Sequence, residues 1–352
     1  MLHDRWIAGR RSPTFTLQWH VTDACELSCR HCYRDPSNGT RPGGPSLAEA
    51  LGVLDGLVSF CRRRSVRGQV CLTGGNPFLH PGFHEIYAGA AARGLPVSIL
   101  GNPVPRDWLL RAIEVVPPVS YQVSLEGLPE TNDAIRGPGH FERTEKFLAL
   151  LGELGVPSVV MLTLHAGNLG EVLPLARRLR GLARRFAFNR LSQVGGGETM
   201  EMPSRREYAA FLRDYLRAAR EERHLATKEN LLALAWDGDG GPRRPRGCTG
   251  YGCGAAFNFL ALLPDGELHA CRKFPSPVGH LAMQSLDEAW SSPEAARYRS
   301  GSDGCRWCHL RNRCGGCLAV AHGAGLSPLA DRDPHCFAAE RRLLPALGAI
   351  RR

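Results

Sequence analysis

No apolar run in this 352-residue chain approaches the 18 or so residues that would cross a bilayer, so nothing reads as a membrane span. The stretch Met1–Phe15 carries charges but no apolar h-region, which excludes a secretory signal peptide. Lysine is nearly absent: Lys146, Lys228 and Lys273 are the only three among 44 basic residues, so arginine carries the formal charge of +10. The arginine groups Arg62-Arg63-Arg64, Arg177-Arg178, Arg184-Arg185 and Arg243-Arg244 lack aromatic interleaving and any nucleic-acid-binding motif. They read as solvated helix faces, with Arg243-Arg244 placed to contact an acidic peptide, and no nucleic-acid partner is expected. Repeats and low-complexity tracts are missing as well. The absence that organises the chain is one of cysteine. Thirteen cysteines are present, yet none lies between Cys71 and Cys248, and eight fall in the last third. With no export signal, those thiols belong in a reducing cytosol, where metal binding or catalysis outweighs disulfides. The expected location is therefore cytoplasmic.

The stretch before the gap alternates strand and helix patterns. Apolar, β-rich runs occupy Thr16–Thr22, Val70–Thr73, Pro96–Leu100, Ser120–Leu125, Pro157–His165 and Phe186–Leu191. Helical periodicity fills Ser46–Arg64, Phe83–Arg93, Arg106–Val115, Phe141–Leu154, Leu169–Leu182 and Ser204–Arg223. Six β–α units in a row predict a parallel sheet with right-handed crossovers. A complete eight-unit barrel takes about 250 residues. The fold class is thus α/β, a partial (β/α)6 TIM-like barrel over residues 16–221 after an amino-terminal extension, 1–15. Ligands should gather at the carboxyl ends of its strands.

Residues 222–247, with Gly238-Asp239-Gly240-Gly241-Pro242, read as a linker by composition. Residues 248–336 read as a small, loop-rich, cysteine-rich domain with a hairpin around Pro264-Asp265-Gly266, and 337–352 as a C-terminal helix. This segment has too few apolar residues for an ordinary core, so bound metal would have to stabilise it.

Cys25-x3-Cys29-x2-Cys32 follows the first strand. Three thiolates on one short loop suit a [4Fe–4S] cube with one iron left open, whereas a structural cluster takes four. A zinc ion with His20 or His31 as fourth ligand is the alternative. After the second strand, Leu72-Thr73-Gly74-Gly75-Asn76-Pro77 offers a glycine pair that lets backbone approach a ligand closely.

Together, the segment Trp19–Tyr33 with its three cysteines and this glycine pair resemble the signature motifs of the radical S-adenosylmethionine (SAM) enzymes, over roughly Thr16 to Gly197. The resemblance implies that SAM chelates the open iron and is reductively cleaved to a 5′-deoxyadenosyl radical, which abstracts hydrogen from the substrate. It implies that Gly74 and Gly75 contact the SAM amino group, and counts Tyr33 among the cofactor-binding residues. Asn76 stands where the family usually carries Glu, and a charge-assisted contact is roughly twice as strong as the neutral one an amide makes. Ser124 resembles a family position near the SAM ribose and carboxylate, and Arg136 is placed to pair with that carboxylate. Asn189-Arg190-Leu191, before Gly195-Gly196-Gly197, is expected to close over the adenosine.

Cys253-x12-Gly266-x4-Cys271 and Cys305-x2-Cys308-x5-Cys314-x2-Cys317, then Cys336, resemble the SPASM extension of such enzymes, with the last short interval one residue below the family's. The family's interleaving implies that Cys248, Cys253, Cys271 and Cys317 hold one auxiliary [4Fe–4S] cluster. Cys305, Cys308, Cys314 and Cys336 would hold the second. Three clusters and SAM are then the expected cofactors, and Cys61 and Cys71 are left as buried structural thiols. Bound thiolates are charged, so three clusters contribute about −5 and bring the holoprotein to about +5, which weakens any nucleic-acid reading further.

The resemblance favours a peptide or protein substrate, a ribosomal precursor peptide above all, with thioether or other cross-link formation and a flavodoxin- or ferredoxin-like reductant. Only 24 residues precede Cys25, so no separate amino-terminal peptide-recognition domain is expected. Sulfatase-type oxidation of Cys or Ser, oxidation of a cofactor precursor, and a non-catalytic electron carrier are the rival readings. No general base is singled out by spacing.

Overall fold

The alternating runs build one parallel sheet. In a computed structural model, which describes residues 13–34, 44–236, 245 and 247–339, six strands follow one another in chain order. They are β1 (Thr14–Thr22), β2 (Arg67–Gly74), β3 (Val97–Leu100), β4 (Ser120–Ser124), β5 (Ser158–Leu164) and β6 (Arg185–Arg190), each parallel to the next. Returning the chain between them are α1 (Leu47–Arg64), α2 (Phe83–Ala92), α3 (Arg106–Val115), α4 (Pro129–Arg136), α5 (His140–Glu153) and α6 (Val172–Arg178), and α7 (Arg205–Glu221) follows β6. This is the expected partial barrel. Local chemistry explains the boundaries. Ser46 accepts from the Glu49 N–H at 3.3 Å while the Glu49 carboxylate accepts from the Ser46 N–H at 2.7 Å, a reciprocal cap that starts α1. The same pairing of Ser204 with Glu207 starts α7.

Several expectations change. The helix read over Leu169–Leu182 is a 3-10 turn, Ala166–Glu171, followed by the short α6. Gly167 and Gly170 lower helix propensity where it would begin. Helix α4 was not anticipated; Pro129 occupies its first turn, where the missing N–H costs nothing. The amino-terminal extension yields to β1 from Thr14 onward, with Phe15 buried. Of the expected C-terminal helix only 337–339 are described, and they form no helix. The linker reading of 222–247 is corrected for its first half. Leu231, Leu232 and Leu234 are buried, Leu231 just before and the other two on α8 (Leu232–Ala235), while Ala226 N–H donates to Phe186 O at 2.8 Å. A leucine-rich turn has apolar area to bury, and the barrel edge accepts it. The glycine-rich stretch 238–242 and Arg243-Arg244 lie outside the described residues.

The cysteine-rich segment is also less separate than its composition suggests. β7 (Phe259–Leu262) pairs parallel with β1, from Thr16↔Phe259 to Trp19↔Leu262. A turn at Pro264-Asp265-Gly266 leads into antiparallel β8 (Glu267–His269), and β9 (Pro277–His280) completes a nine-stranded sheet. Leu260, Leu262 and Leu268 belong to the same apolar core as Leu17 and Trp19. The segment is therefore braced by the barrel as well as by any metal. Three short helices follow, α9 (Leu286–Ser291), α10 (Pro293–Ser300) and α11 (Leu318–Gly323). Among the described residues no helix is long and apolar enough to cross a membrane.

The deepest link between barrel and extension is ionic. Arg190, at the end of β6, is fully buried, and its two terminal nitrogens donate to the Asp333 carboxylate at 2.7 and 2.6 Å. Glu229 lies 3.0 Å away on the other side, and the guanidinium stands over the Tyr208 ring at 5.2 Å. Arg190 thus joins the two halves instead of closing over an adenosine. Burial alone would raise the Asp333 carboxyl, but Arg190 and two backbone N–H groups hold it below the usual range.

Removing Asp333 leaves a buried cation underpaired, a change that costs about 3–5 kcal/mol. Asp333→Ala should lower the anaerobic thermal midpoint clearly. Asp214→Ala, which removes an exposed pair with Arg217, should shift it by the equivalent of less than about 1 kcal/mol. Because the Asp333 value is lowered, its contribution is complete above about pH 4 and fades as the pH falls through the lowered value. Equal midpoints for the two variants would contradict this account.

Candidate functional site

The loop carrying Cys25, Cys29 and Cys32 leaves the carboxyl end of β1 and is clamped from two sides by glycine backbone. From β2, Gly75 N–H donates to Thr22 O at 3.0 Å and Asn76 N–H to Ala24 O at 2.8 Å. A Cβ at Gly75 would stand 2.0 Å from Ala24 O, and at Gly74, whose φ is +129°, 2.1 Å from Thr22 O, so both positions exclude any side chain. From beyond β6, Gly196 N–H donates to Cys32 O at 2.9 Å, and a Cβ there would stand 2.8 Å from Arg30 O. The glycine triplet therefore packs on the cysteine loop. Arg34 closes the loop by an ion pair with Asp23.

Cys25 is exposed, and Cys29 and Cys32 are half-buried. Two of the three sulfurs have an N–H donor nearby: Asn102 Nδ2 at 3.6 Å from Cys25 and Arg136 Nη1 at 3.7 Å from Cys29. Burial raises the Cys29 thiol to about 11 against the opposing pull of Arg136. Metal binding would release that proton. Among the described residues no three His, Cys, Asp or Glu side chains converge on a point that would hold a single ion.

Arg136 is anchored within the chain: its Nε and Nη2 donate to Glu126 Oε1 at 2.9 and 2.5 Å, and its Nη1 lies 3.7 Å from the Cys29 sulfur. Glu126 is fully buried; it also meets His31 Nε2 at 3.1 Å and accepts from Thr163 N–H at 2.7 Å. Burial would raise its pKa, but His31, Arg136 and the Thr163 N–H hold it far below the carboxylate range. This anion ties Arg30-His31, α4 and β5 together beneath the cysteine loop. Ser124 ends β4 half-buried, and Tyr33 turns inward, its hydroxyl 3.4 Å from His20 Nε2. Burial, aided by Arg272, Arg34 and His269, lowers His20 well below its ordinary value, so it is neutral.

The second set of thiols forms two groups. Cys305, Cys308, Cys314 and Cys336 line one small hollow with Gly315, Gly316 and Asp333. Cys248, Cys253, Cys271 and Cys317 lie within electrostatic range of one another: burial raises the Cys253 thiol, and the negative charge of Cys248, Cys317 and Cys271 raises it further. Asp333 connects the groups to the barrel, since it accepts from Cys317 N–H at 2.8 Å while pairing with Arg190. Sequence reasoning missed Glu126, Arg272 and the carboxylate of Glu26, because none has a distinctive spacing. Two of the three lysines, Lys228 and Lys273, join Arg272 near Cys248 and Cys271; burial lowers Lys228, and Arg272 and Lys273 add to the effect. Lysine scarcity was the one signal pointing there. Cys61 and Cys71 are buried free thiols, each raised to about 11 by burial.

Comparison with known proteins agrees with this geometry. The radical SAM superfamily model matches residues 19–179, and that of the SPASM iron–sulfur cluster-binding domain residues 253–317. Mycofactocin maturase MftC of Mycobacterium tuberculosis (strain H37Rv) is 31% identical over 91% of this chain and 82% of its own. The AdoMet-dependent heme synthase of Methanosarcina barkeri is 26% identical over 91% of this chain and 95% of its own. The crystal structure of Streptococcus suis SuiB bound to precursor peptide SuiA superposes with a TM-score of 0.70 at 16% identity, covering 92% of this chain and 76% of that one. The chain belongs to the radical SAM superfamily and carries a SPASM domain. It is a radical SAM oxidoreductase whose cofactors are SAM and [4Fe–4S] clusters in both parts.

With three clusters the chain should hold about twelve irons. The triple variant Cys25→Ala/Cys29→Ala/Cys32→Ala should retain about eight per chain after anaerobic reconstitution, with the auxiliary signals intact in electron paramagnetic resonance. Full iron content in that variant would place the open cluster elsewhere.

Proposed function

We propose that the chain is a peptide maturase that oxidatively modifies a ribosomally made precursor, with a thioether or other cross-link as the favoured product. Bound SAM and its cluster supply reductive C–S cleavage and hydrogen-atom abstraction from the substrate. The chain's own residues hold and shield that chemistry: the clamped cysteine loop fixes the cluster position, and the Glu126–His31–Arg136 group stiffens it from beneath. The observation that carries the substrate class is the 31% identity to a mycofactocin maturase across nine tenths of the chain. The shared architecture of SuiB, solved with its precursor peptide, supports it. The eight thiols of the extension, in two groups of four, suit fully ligated clusters at Cys248/Cys253/Cys271/Cys317 and Cys305/Cys308/Cys314/Cys336. A substrate that loses a hydrogen atom would still have an electron and a proton to give up, and clusters held by these thiols would supply an acceptor for the electron, with a flavodoxin- or ferredoxin-type carrier beyond them. Oxidation of a cofactor precursor is the second reading, favoured by the relative that is a heme synthase.

Reduced, reconstituted protein with SAM should form 5′-deoxyadenosine; none would restore the electron-carrier reading. Co-expression with the peptide encoded beside the gene should yield a product lighter by about two hydrogens in mass spectrometry, and an unmodified peptide would favour the cofactor-precursor reading. Cys308→Ala/Cys314→Ala should still cleave SAM yet lose peptide product. Full product formation in that variant would remove the electron-transfer role.

A further inference from the structure

The two faces of the barrel sheet carry different chemistry. Leu17, Val70 and Tyr121 are buried in the core beneath the helices. The opposite face presents neutral polar groups from every strand: Gln18, Gln69, Ser98, Gln122, Thr163 and Asn189. All but Ser98 are only half-buried, so this inner face borders open space. Cys71 lies on it too, opposite Gln18 in the register. Past Arg67 and Arg185, exposed at the strand starts, it holds no carboxylate and no cation, since His20 is neutral.

The cations stand at the carboxyl end and come from outside the barrel strands. Arg272 and Lys273 follow Cys271, and Lys228 precedes the Glu229 that pairs with Arg190. All three are half-buried. Arg272 lies within electrostatic range of Tyr33 on the cysteine loop, of His20 and Cys71 on the inner face, and of Cys271 and Cys248 in the extension. It therefore stands between the first cysteine loop and the thiols of the extension, over β1 and β2. Lys228 reaches the same Cys71 and Cys248. Lys273 is already engaged, its Nζ donating to Arg190 O at 3.2 Å. Among the described residues neither Arg272 nor Lys228 has a hydrogen-bond or ion-pair partner.

Part of this charge is answered by the auxiliary cluster. A cube on four thiolates carries about −2, which against three neighbouring cations leaves about one positive charge. SAM, whose chelating end is taken by the open iron, leaves it unanswered. A ribosomal peptide carries anions of one chemical kind, the carboxylates of its C terminus and of Asp and Glu. A guanidinium takes a carboxylate in two-point fashion through its planar fork, and the bond is charge-assisted.

We propose that Arg272, with Lys228, binds a carboxylate of the substrate peptide and so holds the segment to be oxidised over the inner face of β1 and β2. The proposal rests on the peptide reading and adds to it the charge of the segment that enters the barrel.

The probe is the peptide encoded beside the gene, labelled at its amino terminus. It is made as the free acid, as the C-terminal carboxamide, and with each Asp or Glu replaced in turn by Asn or Gln. Binding to the anaerobically reconstituted full chain is read by fluorescence anisotropy. One of these neutralised forms should bind wild type about tenfold more weakly than the parent peptide, which identifies the carboxylate as terminal or side-chain. Arg272→Gln should raise the Kd of the parent peptide about tenfold with iron content unchanged, yet bind that neutralised form within twofold of wild type. Arg272→Lys should keep part of the discrimination. Equal affinity of wild type for every form overturns the proposal. So does an Arg272→Gln variant that weakens parent and neutralised peptides alike, which marks Arg272 as a counter-charge to the cluster only. If Arg272→Gln fails to hold iron, Lys228→Gln decides by the same comparison. If no form of the peptide binds wild type, the peptide reading fails and the carboxylate is tested by itself. N-acetylglycine should then show proton signals broadened by the reduced clusters, and N-acetylglycinamide should not. Broadening that is absent, or that survives Arg272→Gln, refutes the site.

Discussion

The buried guanidinium of Arg190 is the constraint on which the rest is built. A cation with no exposed surface persists only if carboxylates surround it, and Asp333 and Glu229 come from sequence-distant segments to do so. The same Asp333 receives the Cys317 N–H and lines the hollow shared by Cys305, Cys308, Cys314 and Cys336. The position of the auxiliary thiols is thereby referred to the end of β6, where Gly195–Gly197 in turn lean on the cysteine loop. One ion pair therefore sets the relation between the two ends of the chemistry.

At the other end, the cysteine loop is held by backbone more than by side chains. Peptide groups from β2 and from the glycine triplet grip Thr22, Ala24 and Cys32, which is possible only because no Cβ intervenes. Such contacts are indifferent to the solvent-facing side chains of the loop. This leaves the exposed Ser28 free to vary in chemistry while the thiols stay in place.

The legible and illegible parts of the sequence divide along a physical line. Cysteine spacing was readable because ligation needs several thiols at fixed separations on short loops, and the β–α alternation was readable because burial imposes periodicity. Ser46 and Ser204 announced their helices through Glu49 and Glu207, three residues on. What failed was whatever depended on a partner far away in the chain. Arg136 finds Glu126 ten residues earlier but only because α4 folds back; nothing local marks it. Arg190 reads as a strand-end residue facing a ligand until Asp333, 143 positions later, is brought against it. The stretch around Leu231–Leu234 looked like linker because its neighbours are glycine and proline, yet four apolar residues in a row still needed a core. Asn76 drew notice only for what it replaces, because Glu26, the carboxylate its amide meets, sits on another loop.

The parallel pairing of β7 with β1 bears on how the two parts of the chain are related. A metal-bearing appendage that can be added or lost usually brings its own core and leaves its host's edges closed. Here the first strand of the barrel, the one that leads into the cysteine loop, would be a bare edge without the extension, with Leu17 and Trp19 stripped of the strand beside them. Bare edges of that kind recruit other chains. The extension is thus a missing stave of the barrel as much as an attached redox unit, and selection to keep the barrel soluble would preserve it even where its electrons were no longer needed.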